Sequence, residues 1–158
     1  MALRNIVVEG DEILRKKCRE VGEVTDRIRE TLDDMVDTMH DAMGVGLAAP
    51  QIGIMRRMFV AEPEPGRIYY FINPEITMKE GNVEGEEGCL SVPGYFGLVD
   101  RPERITIKGL GYNGEEQEYT FEDFDARVMC HEFDHLDGIL YKDKAKEMFD
   151  ASEEGYED

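Results

Sequence analysis

The chain has three histidines, and two of them stand four residues apart in His131-Glu132-Phe133-Asp134-His135. On a helix, positions i and i+4 lie one above the other on the same face. Two imidazoles so placed can hold one metal ion, and that requirement constrains the fold more than any other feature. The segment must be helical, and another part of the chain must reach it with a further ligand. Glu132 follows the first histidine, where its carboxylate can act as general base on a water. The competing reading is a solvated helix that carries the same residues without a metal.

A catalytic ion usually takes three protein ligands and keeps one place open. In one metalloprotease class the helix continues as His-x-x-Gly-x-x-His. Gly138 fits that continuation, but Tyr141 stands where its histidine would be. Glu147, Glu153 and Glu154 lie in a short charged stretch with no second active-site helix. Cys89, in Glu87-Gly88-Cys89-Leu90-Ser91, is the better candidate, because a thiolate with two imidazoles is a known catalytic zinc set. Cys130 neighbours His131, but adjacent helix positions point about 100° apart, so it suits packing as a small hydrophobe. Cys18 is given no site. A closed, structural metal site would instead recruit Cys18 or Cys130 as fourth ligand. Three cysteines make an odd count, which does not read as a disulfide framework.

Hydrophobic spacing organises the rest. Thr25 suits the cap of a helix over residues 26–43, in which Ile28, Leu32, Met35, Met39 and Met43 form one apolar stripe. Asp33, Asp34, Asp37 and Asp41 populate its other side, and His40 reads as an ordinary polar helix residue. Residues 44–51, Gly-Val-Gly-Leu-Ala-Ala-Pro-Gln, carry two close glycines, which imply that something approaches the backbone there. They lack the lysine and following helix of a phosphate loop.

Strands are expected over 57–61 and 68–72, about a Pro/Gly turn, and over 104–112 and 115–121, about Asn113-Gly114. Residues 86–97 read as a Gly- and Pro-rich connection. A second helix should span 122–137 and stop at Gly138. The expected fold class is α+β: short antiparallel β-sheets packed around a central metal-binding helix, with an N-terminal helix and a short C-terminal helical tail. Residues 1–150 read as one catalytic domain and residues 151–158 as an acidic, disordered tail.

Composition excludes several functions. Of the 158 residues, 41% are apolar, enough for a core without staples. Acidic residues number 36 against 18 basic ones, a formal net charge of −18. Nucleic-acid binding needs a basic face, and an anionic membrane surface would repel this chain. No run approaches the ~20 apolar residues of a spanning helix. The first ten residues lack a secretory pattern, which gives a cytoplasmic expectation.

Three motifs in order, Gly-Val-Gly-Leu-Ala-Ala-Pro-Gln (44–51), Glu-Gly-Cys-Leu-Ser (87–91) and His-Glu-Phe-Asp-His (131–135), resemble the signature motifs of the peptide deformylase family. The resemblance runs from the N-terminal segment through about Lys146. It implies that Cys89, His131 and His135 hold one divalent metal ion, Fe2+ in the cell, with Zn2+, Ni2+ or Co2+ able to take its place. It implies that Glu132 is the general acid/base, and that the Gln51 side-chain amide and the Leu90 backbone N–H stabilise the oxyanion. Gly46 would offer backbone hydrogen bonds to the substrate. The implied substrate is the N-formyl-methionyl end of a nascent polypeptide, and formate is released. Val45, Leu90, Phe124 and Val128 are candidate walls for the methionine side chain, although Phe124 and Val128 could equally pack in the core. The peptide could add as a strand along residues 44–46 or 95–97. Some members carry an arginine near position 96, where Phe96 stands here. Some dock transiently on the ribosome through a basic C-terminal helix, and the acidic end at residues 153–158 gives no support to that contact.

Overall fold

The computed structural model describes residues 2–151. Helix α1 (Asp26–Asp41) begins where the capping pattern places it, with Thr25 Oγ1 accepting from the Ile28 N–H at 3.3 Å. Leu32, Met35 and Met39 are fully buried, and Ile28 packs at their margin. The stripe ends sooner than its spacing suggests. Met43 lies beyond the helix with a left-handed φ of 57° and is 90% exposed. Asp34 turns inward rather than to solvent, because the Ala2 N–H (3.1 Å) and the Arg4 guanidinium (2.9 Å) reach its carboxylate.

After α1 come β1 (Gly46–Ala48), a 3-10 turn (Ala49–Ile52), β2 (Met58–Glu64), β3 (Arg67–Glu80), β4 (Val83–Cys89), β5 (Val92–Arg101), β6 (Arg104–Leu110) and β7 (Glu116–Glu122). Helix α2 (Asp123–His135) and β8 (Ala145–Asp150) follow. Five strands pair in the order β1-β2-β3-β6-β7 and three in the order β4-β5-β8, all antiparallel. No helix among the described residues is long and apolar enough to cross a membrane.

Strand β2 explains why Met58-Phe59-Val60-Ala61 is an unbroken apolar run. Phe59 and Ala61 face α2 and pack with Ala126 and Met129, while Met58 and Val60 face α1 and pack with Leu32, Met35 and Met39. A strand covered by a helix on each face has no polar side to show. The hairpin between β6 and β7 turns at Asn113-Gly114, where Gly114 takes φ +83°.

Two expectations are corrected. The connection at 86–97 is mostly strand, since β4 and β5 form a hairpin that turns at Leu90–Ser91, with Cys89 opposite Val92. Glu86 stays exposed there, while Glu87 is buried by its ion pair with Arg101 of β5. The C-terminal helical tail is absent: after one 3-10 turn (Tyr141–Asp143), Ala145–Asp150 forms strand β8 along β5. The open edge of β5 offers a row of backbone partners that a short isolated helix lacks. Phe149 stacks on Phe96 with ring centroids 4.9 Å apart, which fixes the register. Of the tail at 151–158 only Ala151 is described, its N–H donating to the Gly94 carbonyl at 2.9 Å. The expected disorder of residues 152–158 lies outside the described residues.

Helix α2 touches both sheets, and Ala126–Glu132, Asp134 and His135 are all buried. It stops before Gly138, which has φ +75°; a Cβ there would meet the Arg15 carbonyl oxygen at 2.5 Å.

Candidate metal centre and active site

Cys89 ends β4, and His131 and His135 lie one turn apart on α2. The hairpin therefore brings sulfur from the three-stranded sheet to a helix packed against the five-stranded one. The ligating atoms of the three residues all lie within 4.8 Å of one another, with Cys89 Sγ 3.4 Å from His135 Nε2. A soft thiolate and two imidazoles suit a single transition-metal ion.

A cavity of about 280 Å³ opens over this cluster. Nine of the ten sequence-predicted site residues line it: Val45, Gly46, Gln51, Cys89, Leu90, Phe124, Val128, His131 and Glu132. The tenth, His135, lies behind the wall at 1% exposure. Phe124 is half exposed at the mouth, whereas Val128 serves both the cavity and the core. The close approach implied by the paired glycines is found: a Cβ on Gly46 would come within 2.5 Å of Glu132 Oε2, and one on Gly44 within 2.8 Å of Leu90 Cδ1.

Glu132 is 4% exposed, and its Oε1 has no hydrogen-bond partner. Burial pushes its carboxyl up to about 7, against the pull of His131. A carboxylate near neutrality can both take and return a proton.

The His131 Nδ1–H donates to Glu87 Oε1 at 2.8 Å, which turns Nε2 toward the cluster. Burial alone would raise Glu87, but hydrogen bonds from Arg101 and His131 outweigh it and bring the carboxyl down to about 2. Arg101 grips Glu87 with Nε and Nη2 (2.7 and 2.9 Å) and Asp134 with Nη1 (2.7 Å). Arg127 Nη1 adds a third cationic donor to Glu87 at 2.8 Å. Burial and the charge on His131 push His135 well below the ordinary histidine value, which favours the neutral, ligating imidazole.

Gln51, which by residue type alone reads as a surface amide, is 1% exposed. Its Oε1 accepts from the Ala48 N–H (2.9 Å), and its Nε2 donates to Ser91 Oγ (3.0 Å) and points at Cys89 Sγ (3.6 Å). Of the two strand edges suggested for a peptide, that at residues 95–97 is taken on one side by β8, and Gly97 also stands opposite Glu87 of β4. Strand β1 ends its sheet.

Sequence reasoning missed Glu87, Ser91, Arg101, Arg127 and Asp134. Glu87, Ser91 and Asp134 sit inside the motifs already quoted, and Arg127 lies one turn before His131. Arg101 had no local signal. Cys18 and Cys130 join the apolar core, where burial pushes each thiol up to about 11, so neither supplies the fourth ligand of a closed site.

A cysteine and two histidines placed so that they could hold an ion, facing a cavity with a buried carboxylate and amide beside them, are the arrangement of a metal-dependent hydrolase. The family described as "Polypeptide deformylase" matches residues 3–150. A peptide deformylase of Agathobacter rectalis is 51% identical over 146 residues, covering 92% of each chain. The crystal structure of peptide deformylase from Thermotoga maritima superposes with a TM-score of 0.90 at 39% identity, covering 93% of this chain and all of that one. A Met-Ala-Ser-bound class I type b peptide deformylase from Acinetobacter baumannii gives 0.86 at 34% identity, covering 90% and 98%. The chain belongs to the polypeptide deformylase family, hydrolases that remove the N-formyl group from newly made polypeptides.

Proposed function

We propose that the protein hydrolyses the formamide of N-formyl-methionyl peptides in the cytoplasm, releasing formate and a free amino terminus. The observation that carries this reading is the meeting of Cys89, His131 and His135 beneath a cavity that Glu132 and Gln51 share.

Cys89, His131 and His135 would hold the ion, as the central metal-binding helix requires, and Fe2+ is the cellular occupant that the family resemblance implies. Zn2+, Ni2+ and Co2+ suit the same donors. When bound, such an ion supplies Lewis-acid polarisation and lowers the pKa of water. Glu132 takes a proton from the attacking water and delivers it to the leaving nitrogen, which closes the balance of amide hydrolysis. The Gln51 Nε2–H and the Leu90 backbone N–H donate to the oxygen on which negative charge develops, and one such donor is commonly worth ~3 kcal/mol. Glu87 keeps His131 in the right tautomer.

The peptide backbone pairs along the outer edge of β1 at Gly46, because that edge carries no strand. Val45, Leu90, Phe124 and Val128 form the apolar wall for the methionine side chain. The Met-Ala-Ser peptide of the Acinetobacter baumannii structure is what deformylation of formyl-Met-Ala-Ser would leave. Ribosome docking gains no support from the acidic C-terminus.

The test is formate release from formyl-Met-Ala-Ser without oxygen and with ferrous iron or nickel supplied. Stoichiometric formate and Met-Ala-Ser are expected. Peptide-bond cleavage without formate would mark a metallopeptidase and overturn the reading.

A further inference from the structure

Gln51 is useful to the reaction only if its amide presents hydrogen rather than oxygen to the cavity. A carboxamide has the same shape either way round, so its surroundings must set the polarity. One half is fixed by the Ala48 N–H, which can only donate and holds Oε1 at 2.9 Å. The other half ends at Ser91, and a hydroxyl can donate or accept.

The N-terminal segment removes that freedom. Ser91 Oγ lies 2.6 Å from the Val7 carbonyl oxygen, which can only accept. The Ser91 proton is committed to Val7, so its oxygen is left to accept, and Gln51 Nε2 donates to it at 3.0 Å. One amide proton is thereby consumed and the second is directed along the Cys89 side, where Nε2 stands 3.6 Å from Sγ. Ser91 is fully buried, so no solvent competes for the hydroxyl. The same segment anchors the backbone on both sides of this relay. The Val7 N–H donates to the Gln51 carbonyl and the Glu9 N–H to the Ser91 carbonyl, each at 2.7 Å.

We infer that Ser91, polarised by the Val7 carbonyl, is a positioning residue that aims the Gln51 amide proton at the reacting oxygen. This rests on the oxyanion role proposed for Gln51. Ser91 acts through Gln51 alone, so its contribution disappears when that amide is gone.

The experiment is a double-mutant cycle on the metal-loaded full chain with Ser91→Ala and Gln51→Leu, with metal content measured on each variant. Ser91→Ala should lower kcat about tenfold, leave KM within about twofold and retain the metal, and it should cost nothing further in the Gln51→Leu background. Equal losses in both backgrounds would overturn the inference while leaving the Gln51 role intact. No loss of kcat in Gln51→Leu itself would overturn the Gln51 role, and this inference with it. A readout independent of turnover is the side-chain amide pair of Gln51 in ¹H–¹⁵N spectra. Its Ser91-bonded proton should move toward the ordinary position in Ser91→Ala, and unchanged resonances would count against the relay. Should Ser91→Ala not fold, Ser91→Cys keeps the size, weakens both roles of the hydroxyl and goes through the same cycle.

Discussion

Glu132 occupies the space that a side chain at position 46 would need, its Oε2 lying 2.5 Å from where a Gly46 Cβ would stand. The glycine is thus a condition for the position of the carboxylate. Gly46→Ala should displace Glu132, lower turnover steeply and destabilise the fold by about 1–3 kcal/mol, as overpacking does. Steady-state kinetics with urea unfolding check it, and normal turnover would show that Glu132 has another place to go.

Removing the carboxylate altogether isolates its chemistry. Glu132→Ala should bind metal as wild type does and lose about 10²–10⁴-fold in kcat, because a proton carrier is gone and no ligand is. Elemental analysis beside the formate assay separates the two effects.

Cys89→Ser replaces a soft thiolate with a hard, reluctantly ionised hydroxyl. Metal content after dialysis should fall well below one ion per chain. Full occupancy in that variant would remove Cys89 from the ligand set.

The stripe on α1 gives a paired prediction about stability. Met35→Ala, at a fully buried position, should cost about 2–5 kcal/mol. Met43→Ala, at 90% exposure beyond the helix, should change stability by no more than about 0.5 kcal/mol. Two denaturation midpoints decide it.

Asp34 carries the acid dependence of the N-terminal segment. Burial favours its neutral form, but the Ala2 N–H and the Arg4 guanidinium outweigh burial and hold its carboxyl below the ordinary aspartate value. A depressed folded-state value means the charged form stabilises the fold. That stabilisation is whole above the unfolded-state value near 4 and is lost as pH falls through the lower folded value. Wild type should therefore exceed Asp34→Asn in stability at pH 7, and the gap should close as pH falls below about 4. A gap independent of pH would mean that Asp34 acts by shape.

The core of α1 and the histidine pair were legible because each rests on local periodicity: a four-three apolar step in one case, an i, i+4 pair in the other. The β4–β5 hairpin was not legible. Glu87 fell in an expected connection and Arg101 had no local signal, and their pairing across fourteen positions is what lets both be buried. Strand β8 escaped for a similar reason, since Lys-Glu-Met in residues 146–148 favours a helix and the strand is imposed by the edge of β5. Asp34 looked like a solvated-face residue because nothing near it in sequence announces Arg4. The residues proposed to carry chemistry stand in motifs, whereas the partners of Glu87 and Asp34 lie far along the chain and gave no local signal.

The triad takes Cys89 from the three-stranded sheet and His131 and His135 from the helix that lies on the other. An ion held there would act as a rivet between layers, beside the ionic contacts of Arg101. Stripping it with a chelator should loosen the seam before either layer melts, so proteases would cut first near the Leu90 turn. Catalytic competence and mechanical cohesion would then be lost in a single event.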